Sequence, residues 1–370
     1  VQSFATTHLR ALTDTQIAAL TTTQVASLLA TQVSGLTATN VAAMTETQAG
    51  AMTATQVAAL SNTAAKALEA TQVAAMSTTL IRVLTTTQIG ALDATDMGEF
   101  TETQVAALQT SQVQAFNATN FAALSDTQVA ALTATQLAAV STTNVAAMTE
   151  TQAGALSTTQ VHALTTAQVQ ALSTTNLSAF DATQVGALAS TQVAALTSTQ
   201  VGALTAGDMA EFAATQVAAL SATQVHGLTA TNVGDLAETQ LAAMTTTQVQ
   251  ALTATNVAGL VDTQVAALTT NQVAALTTTQ LAALDASDIG EFAATQIAAL
   301  TTAQVNALAA TQLAAMADTQ VAALTATQLG AISSTKFAAL DETQVGALTA
   351  TQVGALSTAQ LQALSNTEVS

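Results

Sequence analysis

Apolar residues recur at every eighth position along the whole chain. An unbroken series of 46 anchors runs from Phe4 to Leu364, and each anchor is Leu, Met, Phe, Val or Ile. We label the anchor a and the next seven residues b to h, so a typical octad, LTTTQVAS, begins at Leu20. Position f is also apolar almost throughout, d is nearly always Thr, e is usually Gln or Asn, and h is nearly always Ala or Gly. The eight-residue repeat therefore decides the architecture.

The positions that vary freely distinguish a helix from a strand. Positions c and g change most, and g accepts residues as different as Arg10, Lys66, Gln114 and His162. In a helix, c and g are i, i+4 neighbours on one exposed stripe, whereas in a strand they would share a face with the fixed positions e and a. The pattern predicts a helix in which c and g face water and e, h and a face inward.

Local capping signals support the helix. Position b is usually Ser, Thr or Asp, as an N-cap requires, and Gln at e is placed to accept from the N-cap N–H in a capping box. Apolar residues at a and f are spaced as a hydrophobic staple. Acidic residues at c, such as Glu46, Glu102 and Asp126, lie in the first helical turn, where the helix dipole favours an anion.

One continuous helix is excluded because eight is not a multiple of 3.6 residues, so the apolar stripe would spiral around the axis. Each octad is too short to fold alone, and many octads must share a core. We therefore expect an all-α solenoid of short N-capped helices, one per octad, stacked into an elongated rod.

A longer repeat is superimposed on the octads. The segment Ser125–Val140 reappears as Ala317–Ile332, a shift of 192 residues, or 24 octads. No linker or change of composition interrupts the chain. We expect residues 1–370 to form a single continuous repeat solenoid without an internal domain boundary, cut from something longer.

Charge and composition exclude several classes of function. The chain carries 4 Lys and Arg against 22 Asp and Glu, a net charge of −18, so a nucleic-acid partner is not expected. The absence of Cys excludes disulfides and thiolate chemistry. Mean hydropathy is +0.44, yet apolar runs are far shorter than a membrane span. No base is placed to activate the abundant Ser and Thr, and we do not expect an enzyme.

The sequence Asp-x-x-Glu-Phe interrupts the pattern three times. Asp replaces Gln at e and Glu replaces the small residue at h, with few cations to neutralise them. Three explanations are open: a bound hard cation such as Ca²⁺, raised carboxyl pKa values, or contact with a second chain. Against them stands local widening of the coil, with Phe filling space. The candidate Ca²⁺ ligands are Asp96, Glu99, Asp208, Glu211, Asp288 and Glu291; no other cofactor is expected.

The histidines and the threonines at d carry weaker signals. His8, His162 and His226 are isolated and do not suggest a haem or zinc site. The near-invariant Thr at d is expected to form hydrogen bonds between neighbouring helices or coils. A rival interpretation takes Thr at b and d as a flat ice-binding array, but that arrangement needs strands.

The LTxTQVAAL octads resemble the low-complexity repeat tracts of very large bacterial surface or secreted proteins. The resemblance implies an extracellular or cell-surface location and a structural role as a filament subunit, stalk or adhesin shaft, with self-association of copies of the same chain. The alternative is a binding module for ice or for Ca²⁺.

Overall fold

Each octad folds as one short α-helix in the computed structural model, which describes residues 1–367, with side chains for residues 1–205 and 207–364. Over the described residues there are 45 helices and no strand. The prediction of an all-α solenoid of short helices is confirmed.

Two compact units divide the chain, Val1–Leu188 and Ala189–Ser370, and each is described by itself. The first unit contains α1 Thr6–Arg10, α2 Asp14–Ala18, α3 Thr22–Ala26, α4 Ala30–Val33, α5 Ala38–Ala42, α6 Glu46–Gly50, α7 Ala54–Ala59, α8 Asn62–Lys66, α9 Ala70–Ala75, α10 Thr78–Arg82, α11 Thr86–Ala91, α12 Ala94–Gly98, α13 Glu102–Ala107, α14 Thr110–Gln114, α15 Ala118–Ala122, α16 Asp126–Ala131, α17 Ala134–Ala139, α18 Thr142–Ala146, α19 Glu150–Gly154, α20 Thr158–Ala163, α21 Thr166–Ala171, α22 Thr174–Ser178 and α23 Ala182–Ala187.

The second unit contains α24 Ser190–Ala195, α25 Ser198–Gly202, α26 Ala206–Glu211, α27 Ala214–Val217, α28 Ala222–His226, α29 Ala230–Gly234, α30 Glu238–Ala243, α31 Thr246–Ala251, α32 Ala254–Ala258, α33 Asp262–Ala267, α34 Thr270–Ala275, α35 Thr278–Ala283, α36 Ala286–Glu291, α37 Ala294–Ala298, α38 Thr302–Ala307, α39 Ala310–Ala314, α40 Asp318–Ala323, α41 Ala326–Ala331, α42 Ser334–Phe337, α43 Glu342–Gly346, α44 Ala350–Gly354 and α45 Thr358–Thr367. The expectation of one solenoid without a boundary stays a prediction.

Helices begin as the capping pattern predicts. At α3, the Oγ1 of Thr21 accepts from the N–H of Gln24 (3.2 Å), and the N–H of Thr21 donates to Oε1 of Gln24 (2.8 Å). Where b is apolar, as at Leu29, the Gln still accepts the N-cap N–H (2.8 Å). The extended N-cap residue separates each helix from the helix before it, so the chain changes direction at every octad.

The same glutamines hold successive coils together. Nε2 of Gln48 donates to the carbonyls of Ile17 (2.9 Å), Ala18 (3.2 Å) and Leu20 (2.6 Å), which lie 28 to 31 residues earlier. The pattern recurs along both units, for example from Gln160 and from Gln304. One coil therefore takes between three and four octads, and the helices that pack most closely on one another are three places apart in the chain. We call this series of bonds the glutamine ladder.

Positions a and f fill the core between the coils. Val129 and Val249 at f are completely buried, and the anchors beside them are nearly so. Helices of adjacent coils approach closely: a Cβ on Gly50 would lie 2.7 Å from the carbonyl oxygen of Ala75. Positions b, c, d and g face water for the most part. None of the described helices has the length and apolar character that a membrane span requires.

A one-residue insertion tests the register of the ladder. Inserting Ala after Ala131 displaces every later amide of that coil from its carbonyls, and we expect the melting temperature to fall by about 10 °C. The control Gln170→Lys changes an exposed g position and leaves melting almost unchanged. Equal melting of the two variants, followed by circular dichroism, would show that octads do not stack in register.

Replacing one ladder glutamine measures the contribution of a single rung. Gln160→Met removes the acceptor for the N–H of Ser157 and the donor to three carbonyls, so the first unit loses about 2–4 kcal/mol. The matched change Gln114→Met, at an exposed position of the same unit, costs less than about 0.5 kcal/mol. Urea denaturation compares them, and similar losses in both variants would contradict the role of the ladder.

Candidate functional site

The three Asp-x-x-Glu-Phe octads lie on α12, α26 and α36. Their aspartates keep the helix-capping bond that a glutamine forms at position e. Oδ2 of Asp96, Asp208 and Asp288 accepts the N–H of the N-cap residue at 2.6, 2.7 and 2.7 Å. A carboxylate has no N–H to donate, so it cannot form the bonds to the preceding coil that a glutamine amide forms. Asp96 and Asp288 are buried, as the inward position e predicts.

The glutamates differ among the three octads. Glu99 and Glu211 are half-buried, whereas Glu291 is exposed. The expectation that position h faces inward is therefore wrong for Glu291, because h lies at the edge between neighbouring coils rather than in the core. The accompanying phenylalanines, Phe100 and Phe292 among them, are buried, as the space-filling explanation requires.

A small cavity adjoins the first of these octads. It measures about 20 Å³ and is lined by Leu68, Asp96, Glu99 and Phe100 among others. Elsewhere in the ladder, Nε2 of each glutamine donates to the carbonyl 28 residues earlier. A glutamine in place of Asp96 would therefore donate to the carbonyl of Leu68. The cavity lies where that amide is missing, and it is large enough for one water molecule.

Charges cluster around this cavity across two coils. Nζ of Lys66, in α8, lies 2.8 Å from Oδ2 of Asp93, the N-cap of α12. This hydrogen bond lowers the pKa of Asp93 and raises the pKa of Lys66. Both side chains are nearly half exposed, so the pair is screened by solvent. The sequence did not reveal it, because a 27-residue spacing means nothing until the coil length is known.

Burial dominates the ionisation of the inward carboxyls. Loss of solvent raises the pKa of Asp96 and of Asp288. It also raises the pKa of Glu99 from its ordinary value of 4.5 to about 7, with further contributions from the charges of Asp96, Glu69 and Asp93. Of the three explanations for the motif, this geometry favours raised carboxyl pKa values at the first octad.

Among the described residues, the fold brings together no cluster of side chains that would support the Ca²⁺ hypothesis. Over the described residues, no three side chains of His, Asp or Glu come together in an arrangement that could hold a metal ion. Calcium takes six to eight oxygen ligands, which the paired carboxyls would have to complete with carbonyls and water. The assignment of Asp96, Glu99, Asp208, Glu211, Asp288 and Glu291 as calcium ligands stays a prediction.

The hydroxyls of threonines at d bond within their own octads, whereas the sequence predicted bonds between neighbouring helices or coils. Thr15 and Thr47 are exposed, and each shares a 3.0 Å hydrogen bond with the hydroxyl at b of its own octad, Thr13 or Thr45. These contacts extend the N-cap and do not join neighbouring helices. The histidines at g do contact the next coil: Nδ1 of His226 lies 3.2 Å from the carbonyl oxygen of Ala251.

The shifted pKa of Glu99 predicts a pH dependence of stability. The folded state binds the Glu99 proton more tightly than the unfolded chain, so the unfolding free energy of the first unit falls as pH rises from about 4.5 to about 7. Glu99→Gln cannot ionise and should flatten this decline between pH 5 and 7. Melting temperatures measured between pH 5 and 7 follow this decline. The exposed control Glu102→Gln should keep the wild-type decline, and a wild-type decline in Glu99→Gln would contradict the assignment.

Calcium binding is tested by chelation. If the carboxyls hold Ca²⁺, then EDTA lowers the melting temperature, and changing the three Asp to Asn and the three Glu to Gln removes that sensitivity. A control with Asp126→Asn, Glu150→Gln and Asp262→Asn, outside the motif, should respond to EDTA like the wild type. A wild-type melt indifferent to EDTA and to added Ca²⁺ rejects the site.

Comparison with known proteins places the octads in a recognised class of repeat. No curated protein matches the chain. The family model of the ALTTAQ repeat matches residues 65–102, 105–142 and 164–199, each of which covers four to five octads. The matched segments contain the capped helices and ladder glutamines described above, so these three stretches of the octapeptide-repeat chain are similar to the ALTTAQ repeat.

Proposed function

We propose that this chain is a structural repeat protein of the cell surface or the extracellular medium, which forms or contributes to a filament, stalk or adhesin shaft. The observation that carries the proposal is that the glutamine ladder sets no limit to its own length. Every coil offers amide donors to the coil before it and carbonyl acceptors to the coil after it, with the same spacing each time.

The outermost coils expose side chains of kinds that the inner coils bury against their neighbours. Gln16 and Gln24 in the first coil are exposed, and over residues 1–367 their Nε2 atoms donate no hydrogen bond, although their Oε1 atoms cap their own helices. In the last coil, Val353 and Leu361 at position f are 43% and 46% exposed, whereas f is buried in the inner coils. A further coil, from the same chain or from another copy, would extend the ladder by the interaction that holds the inner coils.

Composition supports an exported, non-catalytic role. The chain has no Cys to oxidise, a strong negative charge that favours solubility, and too few basic residues for nucleic acid. Many Ser and Thr hydroxyls at b are already engaged as helix caps. We infer a mechanical function rather than catalysis, with other copies of the chain as partners.

Electron microscopy of the purified chain tests end-to-end assembly. We expect particles longer than one chain, whose length grows with protein concentration. Gln16→Glu with Gln24→Glu places carboxylates against the carbonyls of an incoming coil, so it should shorten the particles. The control, Gln170→Glu with Gln250→Glu, carries the same added charge at exposed g positions away from the first coil and should leave the length unchanged. Single-chain particles at every concentration would reject assembly.

Location has its own test. An antibody against the chain should label unpermeabilised cells of the source or detect the protein in the medium. Labelling that requires permeabilised cells would contradict the extracellular assignment.

An ice-binding role is the second candidate, because the hydroxyls at b and d are exposed in pairs. These hydroxyls lie at helix N-termini, however, rather than on a flat strand face. Thermal hysteresis of a concentrated solution decides the matter: a freezing point below the melting point favours ice binding, and no gap between them rejects it.

A further inference from the structure

The glutamine ladder of the first unit is interrupted at three helices. At the e positions from Gln32 to Gln184, each Gln or Asn donates its side-chain amide to the carbonyl oxygen 28 residues earlier. The exceptions have no side-chain amide: Ala64 in α8, Leu80 in α10 and Asp96 in α12.

Three carbonyls of the preceding coils therefore lack the donor that their counterparts have. They belong to Leu36, Met52 and Leu68, each 28 residues before an interrupted position. Within this part of the chain, all of which the structure describes, no side-chain amide donates to them. Separation of two coils at such a place breaks fewer protein hydrogen bonds and lets a carbonyl gain water, so these junctions resist opening less than the others do.

Helices that keep the amide alternate with the interrupted ones. Gln72 in α9, Gln88 in α11 and Gln104 in α13 still donate to the preceding coil. The stretch from α8 to α12 is therefore still joined to its neighbours, but through about every second amide. Because no other e position between Gln32 and Gln184 lacks its amide, the weakness is concentrated in residues 61–100.

The core beside these helices is also less completely filled. Position f is Ala65 in α8, whereas most octads have a larger apolar residue there. The cavity of about 20 Å³ described above is lined by Ala65, Leu68 and Asp96 among others. Side chains around a cavity lose van der Waals contacts on that side. A missing amide and a small core side chain thus coincide at the junction of α8 and α12.

An exposed ion pair joins α8 and α12 where the amide is missing. Lys66 of α8 and Asp93, the N-cap of α12, are 2.8 Å apart between Nζ and Oδ2. A glutamine in place of Asp96 would link the same two helices. Both members of the pair are nearly half exposed, so water and salt weaken their attraction. Such a pair costs little to separate and forms again readily, which suits a junction that opens and closes.

We propose that residues 61–100 are a built-in opening point, at which α8 to α12 separate reversibly from the adjacent coils while the rest of the first unit stays folded. The opening occurs within a single chain and needs no partner. In a shaft under tension this segment yields first, a use that rests on the proposed function.

Hydrogen exchange of backbone amides, followed by mass spectrometry of peptic peptides from the full chain, tests the opening point. Local opening exposes backbone amides to water without global unfolding. After correction for intrinsic rates, we expect residues 61–100 to exchange about tenfold faster, or more, than residues 125–164. The second segment is a matched reference inside the same unit, because every e position in it donates to the preceding coil.

Two sets of variants test whether the missing amides are the cause. Ala64→Gln, Leu80→Gln and Asp96→Gln together supply the amides, and we expect exchange of residues 61–100 to slow to the rate of the reference segment. The reverse set copies the interruption onto α16, α18 and α20: Gln128→Ala, Asn144→Leu and Gln160→Asp. It should speed exchange of residues 125–164 about tenfold and leave residues 61–100 unchanged. Circular dichroism verifies folding, and the reverse set keeps the test decisive if the added glutamines do not fit.

Other outcomes overturn the inference. Equal exchange of the two segments in the wild type would mean that no opening point exists, and exchange of all segments at one rate would mean that the unit opens as a whole. Fast exchange of residues 61–100 that neither set alters as expected would show that the amides are not its cause. Particle length in electron microscopy tests the proposed function separately: a chain that opens here but never forms long particles rejects assembly alone, whereas long particles without faster exchange reject the opening point alone.

Discussion

One side chain, the glutamine at position e, forms two sets of hydrogen bonds on which the rest of the structure depends. Its Oε1 accepts the N–H that begins its own helix, and its Nε2 satisfies carbonyls left open at the helix ends of the preceding coil. Short helices leave many backbone groups without partners, and a buried unpartnered group is costly. The amide satisfies groups at both ends of the helices, and it does so in most octads.

Octads without glutamine at e show what the helix-capping bond and the bonds to the preceding coil each contribute. In α15 and α18, Asn replaces Gln, and its shorter amide still donates to one carbonyl, 28 residues earlier. Asp96 lies in the same line of helices, since α12 packs against α15. It keeps the cap but loses the donor, and a cavity and a raised pKa accompany the loss. The motif at Asp96 therefore alters the ladder itself, whether or not it also binds a ligand.

Much of the fold follows from the octad alone. The capping box at Thr21 and Gln24, the buried anchors and the exposed g positions are local consequences of eight residues and are predictable from them. The coil length is not, because it depends on which carbonyls Gln48 can reach across the coil. For the same reason the pair Lys66–Asp93 could not be foreseen from the sequence, although both residues were visible. The hydroxyl of Thr15 was assigned to the wrong partner because the exposed side of the N-cap could not be foreseen.

Hydrogen exchange of glutamine side-chain amides, followed by NMR, tests the ladder most directly. The account predicts that the Nε2 protons of buried glutamines such as Gln160 and Gln304 exchange far more slowly than those of exposed Gln114 and Gln250, because they are held against the preceding coil. Equally fast exchange of both groups would contradict it, since the coils would then be joined without the glutamine amides.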